Sequence, residues 1–347
     1  MSGVQARCSR GESVTALRRH RLLSLAVLLA FLAVAAVLSV AIGSKSISPL
    51  SVLSALWNAG DSESDIIVNS LRVPRTGFGV LAGAALGVAG ALMQGHTRNP
   101  LADPGLLGVT QGAGFTMVSA VFLLGVTDLR VYIWYGFAGA LVASLAVFAL
   151  GTMGRGGPTP VTLALAGAAV SALLHALTSG LVLLDQQALD VFRFWQSGSI
   201  AGRDPALLGE MLPFVLVGLV LAFFNAPGLN ALSLGEDVAR SLGQRVWLTR
   251  AVGVAAITLL TGAAVAACGA LAFVGLAVPH AARFLSGPDH RWLLPYSAVL
   301  GGTLLLVADV LGRVVARPGE LEVGITLALI GAPFFIALVR RRKPVRL

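Results

Sequence analysis

Long apolar runs, each closed by a polar or basic stretch, follow one another along the whole chain. They lie at 22–42, 77–94, 108–126, 131–150, 160–184, 206–224, 250–271, 293–312 and 323–339. A shorter run at 272–286 is broken by Pro279. A helix needs about 20 apolar residues to cross a bilayer, so the pattern predicts an all-α chain with about ten membrane spans. The first run exceeds the apolar core of a secretory leader, which is about 7–15 residues, and no small-residue cleavage site ends it cleanly. It reads as a retained helix.

Composition narrows the class. Only 12% of the 347 residues are charged, 56% are hydrophobic, and mean hydropathy is +0.85. A soluble domain carries about 25% charged residues, so this chain lacks the charge to cover a globular surface. Its 41 glycines suit closely packed membrane helices, where small residues let backbones approach. The expected class is a polytopic helical membrane protein forming one domain over residues 1–347.

The net charge of +9 would suggest nucleic acid in a soluble chain. Here the basic residues gather at the ends of apolar runs, which sets topology instead. With ten spans, 17 of the 25 lysines and arginines fall on the cytoplasmic side. These are Arg7, Arg10, Arg18, Arg19, Arg21, Arg98, Arg155, Arg240, Arg245, Arg250, Arg283, Arg291 and the tail Arg340, Arg341, Arg342, Lys343 and Arg346. A basic tail over 1–21 and another over 340–347 put both termini inside, which requires an even number of spans. Counting 272–286 gives ten.

One stretch breaks the pattern. Residues 98–108, RNPLADPGLLG, place prolines at 100 and 104 between spans two and three. Proline removes a backbone donor and disfavours helix at the residue before it. The stretch is either a tight surface turn or part of a pathway lining, because irregular backbone at membrane depth needs protein or water around it. Composition favours the turn.

An internal echo bears on architecture. TLALAGA at 162–168 and TLALIGA at 326–332 share six of seven residues, and GAL recurs at Gly90 and Gly269. Read as a duplication, spans two to five and seven to ten form two halves, an arrangement found in transporters.

Several chemistries are excluded. The only lysines are Lys45 and Lys343, preceded by Ser44 and Arg342, so no phosphate-binding G-x-x-x-x-G-K-[ST] loop exists. H-E-x-x-H and G-x-S-x-G are also absent. Cys8 and Cys268, the two cysteines, match no metal or disulfide spacing. No cofactor and no metal ligand set are predicted. Ionisable residues inside spans are functional suspects by default: His175, His280, Arg283 and Asp309. A satisfied interhelical hydrogen bond is the plainer reading of His175. Asp309 and Arg313, one helical turn apart, suit a local ion pair. An ion-coupled secondary carrier stays open on these groups alone.

Five stretches carry a resemblance. They are LRVPR at 71–75, GAALGVAGALMQGHTRNPLADPGLLGVTQGAG at 83–114 and LSLGEDVARSLGQRV at 232–246. LAFVGLAVPHAARFLSGPDHRWLLP at 271–295 and ADVLGRVVARPGELEVGITLALIGAPFF at 308–335 complete them. Together they resemble the permease family of ABC importers for iron–siderophore complexes, haem and vitamin B12. FRFWQSGS at 192–199 and the RVVARPGEL ending resemble the ferric-enterobactin type most.

The resemblance implies ten helices per subunit in a bacterial inner membrane and a second permease, here a homologous chain. It also implies two copies of a separate ATPase and an outside substrate-binding protein. The cargo implied is a ferric siderophore of the catecholate type, with cobalamin or haem as the alternative, and no nucleic acid.

Site residues follow from the same resemblance. Asn99 and Leu101 match the turn that gates the vitamin B12 member on the cytoplasmic side, which turns the reading of 98–108 towards a pathway lining. A second gate maps loosely to Thr159, Pro160 and Val161. Residues 230–246 become the cytoplasmic coupling helix that docks on the ATPase, through Leu234, Gly235, Glu236, Asp237, Ala239, Arg240, Leu242 and Gly243. Arg72, Arg75 and Arg313, at the outer mouth, match arginines that meet acids on the binding protein. Their alternative is headgroup contact or pairing with Asp61, Glu63 and Asp65. Glu322 stands where the family pattern has proline.

Overall fold

The computed structural model describes residues 2–43, 47, 49–57, 62–126, 128–153 and 159–340, with the backbone alone for 2–17, 49, 50, 53, 56, 129, 338 and 339. Every regular element among them is helical. The chain runs α1 (Ser2–Ala41), α2 (Pro49–Trp57), α3 (Glu63–Ile66), a π-helical turn (Ile67–Arg72) and α4 (Val73–Thr97). After a 3-10 turn at Pro104–Leu107 come α5 (Val109–Leu124), α6 (Leu129–Thr152), α7 (Pro160–Leu184), α8 (Gln186–Ser197) and α9 (Pro205–Ser233). The last five are α10 (Glu236–Ser241), α11 (Val246–Cys268), α12 (Val274–Ser286), α13 (His290–Val315) and α14 (Val323–Arg340).

Seven of the described helices are long and apolar enough to cross a membrane. The shorter apolar helices Val109–Leu124 and Val323–Ala337, with the 13-residue α12, fill the remaining expected positions. The basic segment is helical from residue 2 and runs without a break into the first apolar span, in one 40-residue helix. One boundary differs from the expectation. Span two begins at Glu63 rather than 77, because α3 and the π turn stack onto α4 without a break. Asp61, Arg155, Lys45 and the tail beyond Arg340 lie outside the described residues.

Aspartates start several helices. Asp128, Asp185, Asp204 and Asp289 cap α6, α8, α9 and α13, each accepting a backbone N–H at 2.6–3.0 Å. A side-chain oxygen there satisfies one of the donors that a helix start leaves unpaired.

Polar contacts sort the ends of the bundle into two faces. The Tyr296 hydroxyl at the start of α13 donates to the Arg21 carbonyl at 2.6 Å, and Asn230 at the end of α9 donates to Asp289 at 2.6 Å. At the opposite ends Arg313 reaches α1, and Arg130 of α6 pairs with Glu210 of α9 at 3.0 Å. This sorting agrees with the topology read from the basic residues.

Within the apolar core runs a seam of bare backbone. Gly83, Gly87 and Gly90 share one face of α4 by their i, i+4, i+7 spacing. A methyl carbon on them would lie 2.4 Å from the Gly301 oxygen, 2.3 Å from that of Ser297 and 2.0 Å from that of Gly275. At these three positions nothing larger than hydrogen fits between α4 and its neighbours α13 and α12. Burial follows: 78% of the most apolar windows of α4 and α11 is covered, against 17% for α1 and α7.

The two halves are visible in the packing. α4–α7 and α11–α14 have the same order, a long helix, a break, a short helix and two more spans. α4 packs on α13 and α12 while α11 packs on α6 and α5, the reciprocal arrangement of a twofold exchange. The echoed Thr162 and Thr326 both lie in the first turn of their helices, α7 and α14.

Candidate functional site

The stretch 98–108 is built by local hydrogen bonds. Arg98 ends α4 in the left-handed region (φ 50°). The Asn99 side-chain oxygen accepts from the Leu101 N–H at 3.0 Å, and its carbonyl accepts from Ala102 at 3.1 Å. This Asx turn explains an Asn followed by Pro. Asp103 then accepts from the Gly105 N–H at 2.8 Å and caps the 3-10 turn. Burial pushes the Asp103 carboxyl above its ordinary range, against the pull of that N–H.

The stretch is neither a free surface turn nor wholly a lining. Ala102 and Leu107 are buried, while Asn99 and Leu101 are exposed, Leu101 by 45%. Pro104 packs on Gly275 of α12, and the Leu106 carbonyl presses on Gly167 of α7. The second half is thus an anchor, and Asn99–Leu101 is what it presents.

The other predicted gate segment starts α7. Thr159 and Thr162 form a capping box, and the Thr162 hydroxyl also donates to the Gly151 carbonyl of α6 at 3.0 Å. Pro160 occupies the first helical position, where its missing N–H costs nothing, and Val161 is 66% exposed. The two segments border one narrow cleft, lined by Met93, His96, Thr97, Leu107, Leu163, Arg250, Val254 and Ile257.

Residues 236–241 form α10, a helix of six residues. Gly235 (φ 116°) and Gly243 (φ 81°) bracket it in conformations that side chains rarely adopt. Ala239 is buried against Leu232 and Val246. Leu234, Val238, Leu242 and neighbouring Trp247 remain 44–65% exposed, and Asp237 and Arg240 are also exposed. Glu236 pairs with Arg240 at 2.8 Å and with Arg250 of α11 at 3.0 Å.

The outer arginines are placed differently from the expectation. Arg313 is 1% exposed, pairs with Asp309 at 2.8 Å and donates to the Ser39 and Ile42 carbonyls at 2.9 and 2.6 Å. Arg72 is 5% exposed and donates to the Val40 and Ala41 carbonyls at 3.0 and 2.9 Å. Both cap the last turn of α1, whose carbonyls have no partner within the helix. Arg75 pairs with Asp309 at 2.7 Å and Glu320 at 2.6 Å.

Arg72 and Arg313 thus lie buried in the subunit with their guanidiniums turned to the carbonyls of α1. The local Asp309–Arg313 pair is present as the spacing implied. Its sharing with Arg75 carries no local sequence signal.

His175 also departs from its plainer reading. It is exposed on α7, and its side chain makes no hydrogen bond to any described residue. Arg283 donates to Gln94 at 3.2 Å. Sequence reasoning missed the buried His96–Asn225 contact at 3.0 Å, whose partners are 129 positions apart.

Among the described residues, seven long apolar helices and the shorter ones between them, with a paired break in each half, form a polytopic membrane bundle. The FecCD transport family model matches residues 31–341, and the chain belongs to that family. It is 49% identical over 315 residues to the ferric enterobactin transport system permease protein FepD of Escherichia coli, covering 91% of this chain and 94% of that one. It is 41% identical to the probable siderophore transport system permease protein YfiZ of Bacillus subtilis, over 87% of this chain and 91% of that one. A solved inward-facing conformation described as a metal-chelate type ABC transporter superposes with a TM-score of 0.79 at 30% identity, over 91% of this chain and 98% of that one.

Proposed function

We propose that the chain is the permease subunit of a bacterial inner-membrane ABC importer that passes a ferric siderophore, of the catecholate type, into the cytoplasm. The observation that carries this reading is the 49% identity to a ferric enterobactin permease over nearly the full length of both chains. ATP is hydrolysed on two copies of a separate ATPase subunit, since the chain has no phosphate-binding loop.

α10 is the part that meets the ATPase. Its exposed Leu234, Val238 and Leu242 give an apolar ridge flanked by Asp237 and Arg240, which suits insertion into a groove. A second, homologous permease covers the open face of α7, and the pathway runs between the two. Asn99, Leu101, Thr159, Pro160 and Val161 form the cytoplasmic gate. A substrate-binding protein docks at the outer mouth, where Arg75 and Glu320 are the reachable part of the arginine cluster. Arg72 and Arg313 support that mouth from behind by holding α1.

The test is reconstitution in proteoliposomes with the ATPase, the second permease and the binding protein. Uptake of iron-55 as ferric enterobactin, and its absence with a dead ATPase, is the expected result. Preferential uptake of a ferric hydroxamate or ferric citrate would overturn the cargo class. Uptake abolished by an ionophore but not by the dead ATPase would restore the secondary-carrier reading.

A further inference from the structure

Arg250 occupies an unusual place for a cation. It lies in the second turn of α11 (Val246–Cys268), where the positive end of the helix dipole disfavours positive charge. It is also 5% exposed, and burying a charge is costly unless it is paired. It pairs across elements with α10, through the Glu236 carboxylate at 3.0 Å. α10 itself is six residues long, too short to hold a helix unaided.

Arg250 lines the cleft together with Thr97, the last residue of α4, Leu107 of the 3-10 turn and Leu163 in the first turn of α7. These three residues adjoin both segments of the proposed gate. His96, also in that wall, is held against Gly253 and hydrogen-bonded to Asn225 of α9. Arg250 therefore pairs with α10 and borders the same cleft as residues that adjoin both gate segments.

We infer that Arg250 is the positioning residue through which movement of α10 reaches the cytoplasmic gate. Glu236 transmits the displacement as a charged, hydrogen-bonded link, and Arg250 carries it into the wall shared by Thr97, Leu107 and Leu163. This rests on the reading of α10 as the ATPase contact, and it adds a specific path from that contact to the gate. A bare structural brace would support α10 without setting the yield of transport.

The experiment measures cargo moved per ATP hydrolysed in the full reconstituted complex, with ferric enterobactin as probe. Arg250→Met keeps the bulk and removes the charge. The expected result is retained association with the ATPase and continued hydrolysis, with uptake per ATP lower by about tenfold, the scale on which residues within coupling networks act. Arg250→Lys keeps a cation with a shorter reach and should fall below wild type by only about two- to fivefold. Equal uptake per ATP in Arg250→Met and wild type would overturn the inference, as would equal loss in the Met and Lys variants.

Should Arg250→Met not assemble, Arg250→Lys decides alone. Its shorter reach should lower the ratio by roughly two- to fivefold, and a ratio equal to wild type overturns the inference. The underlying reading is tested separately by Leu242→Asp, which should abolish ATPase association. If the ATPase still binds that variant, α10 is not the contact, whatever the Arg250 variants do.

Discussion

Arg75 at the head of α4 and Asp309 near the end of α13 are 234 positions apart in the chain and joined at 2.7 Å in space. The same carboxylate, itself fully buried, also holds Arg313 at 2.8 Å. Two cations and one anion thus lock three helices together, because Arg313 goes on to the carbonyls of α1.

Removing Asp309 should therefore cost more than its single charge suggests. Asp309→Asn leaves two buried guanidiniums facing each other, and breaking a buried pair costs about 3–5 kcal/mol. Glu320→Gln, at a half-exposed pair, should cost about 0–1 kcal/mol. Thermal unfolding in detergent, comparing the two variants, checks the order; equal losses would contradict the lock.

Arg72→Ala should lower the thermal midpoint of the isolated permease, with no binding protein present. It uncaps the Val40 and Ala41 carbonyls, and hydrogen bonds to charged groups contribute about 1.5–3 kcal/mol each. A residue that served docking alone would leave the isolated subunit unchanged and weaken only the complex.

Gly90→Ala should impair folding, because the added carbon would sit 2.0 Å from the Gly275 carbonyl oxygen. Overpacking of this kind costs about 1–3 kcal/mol or more. Gly180→Ala in α7 meets nothing within 4 Å and should be neutral or slightly stabilising for the isolated chain. Yield of monodisperse protein for the pair is the readout.

Leu101→Ala and Leu107→Ala separate gate from anchor within one stretch. Leu101 is 45% exposed and Leu107 is 1% exposed. Loss of Leu107 should destabilise by about 2–5 kcal/mol. Loss of Leu101 should leave stability nearly unchanged and raise leakage of a small reporter from liposomes. A Leu101 variant as tight as wild type would return the turn to an ordinary connection.

Gly243→Pro should uncouple hydrolysis from uptake with the transmembrane bundle intact. Gly243 has a φ of 81° that proline cannot adopt, and its N–H donates to Arg240 at 2.9 Å. Normal cargo-stimulated hydrolysis and uptake would show that the end of α10 need not be stiff.

The spans were legible because lipid imposes a simple rule, about 20 apolar residues in a row, and because the basic ends of α1 and α14 fixed the sides. α10 was legible through its bracketing glycines and its resemblance to a known motif. The start of span two was hidden because ESDIIVNSLR is too polar to read as membrane helix, yet it continues α4. α8 was missed as a helix since QQALDVFRFWQS is amphipathic rather than apolar. The arginine cluster was hidden for a different reason: Arg72, Arg75 and Arg313 find partners on α1 and α13, and such distant pairing leaves no period in the chain. Only Asp309–Arg313, one turn apart, could be seen beforehand.

The glycine seam restricts which parts of the protein can take part in a transport cycle. Where two backbones touch directly, no side chain can change rotamer to absorb a shift, so sliding α4 along α13 would drive carbonyl oxygens into main chain. Sliding of α4 on α12 or α13 is therefore opposed at Gly83, Gly87 and Gly90. α7 is covered over only 17% of its most apolar window, and it is held to its own subunit by one contact of the same kind, between Gly167 and the Leu106 carbonyl.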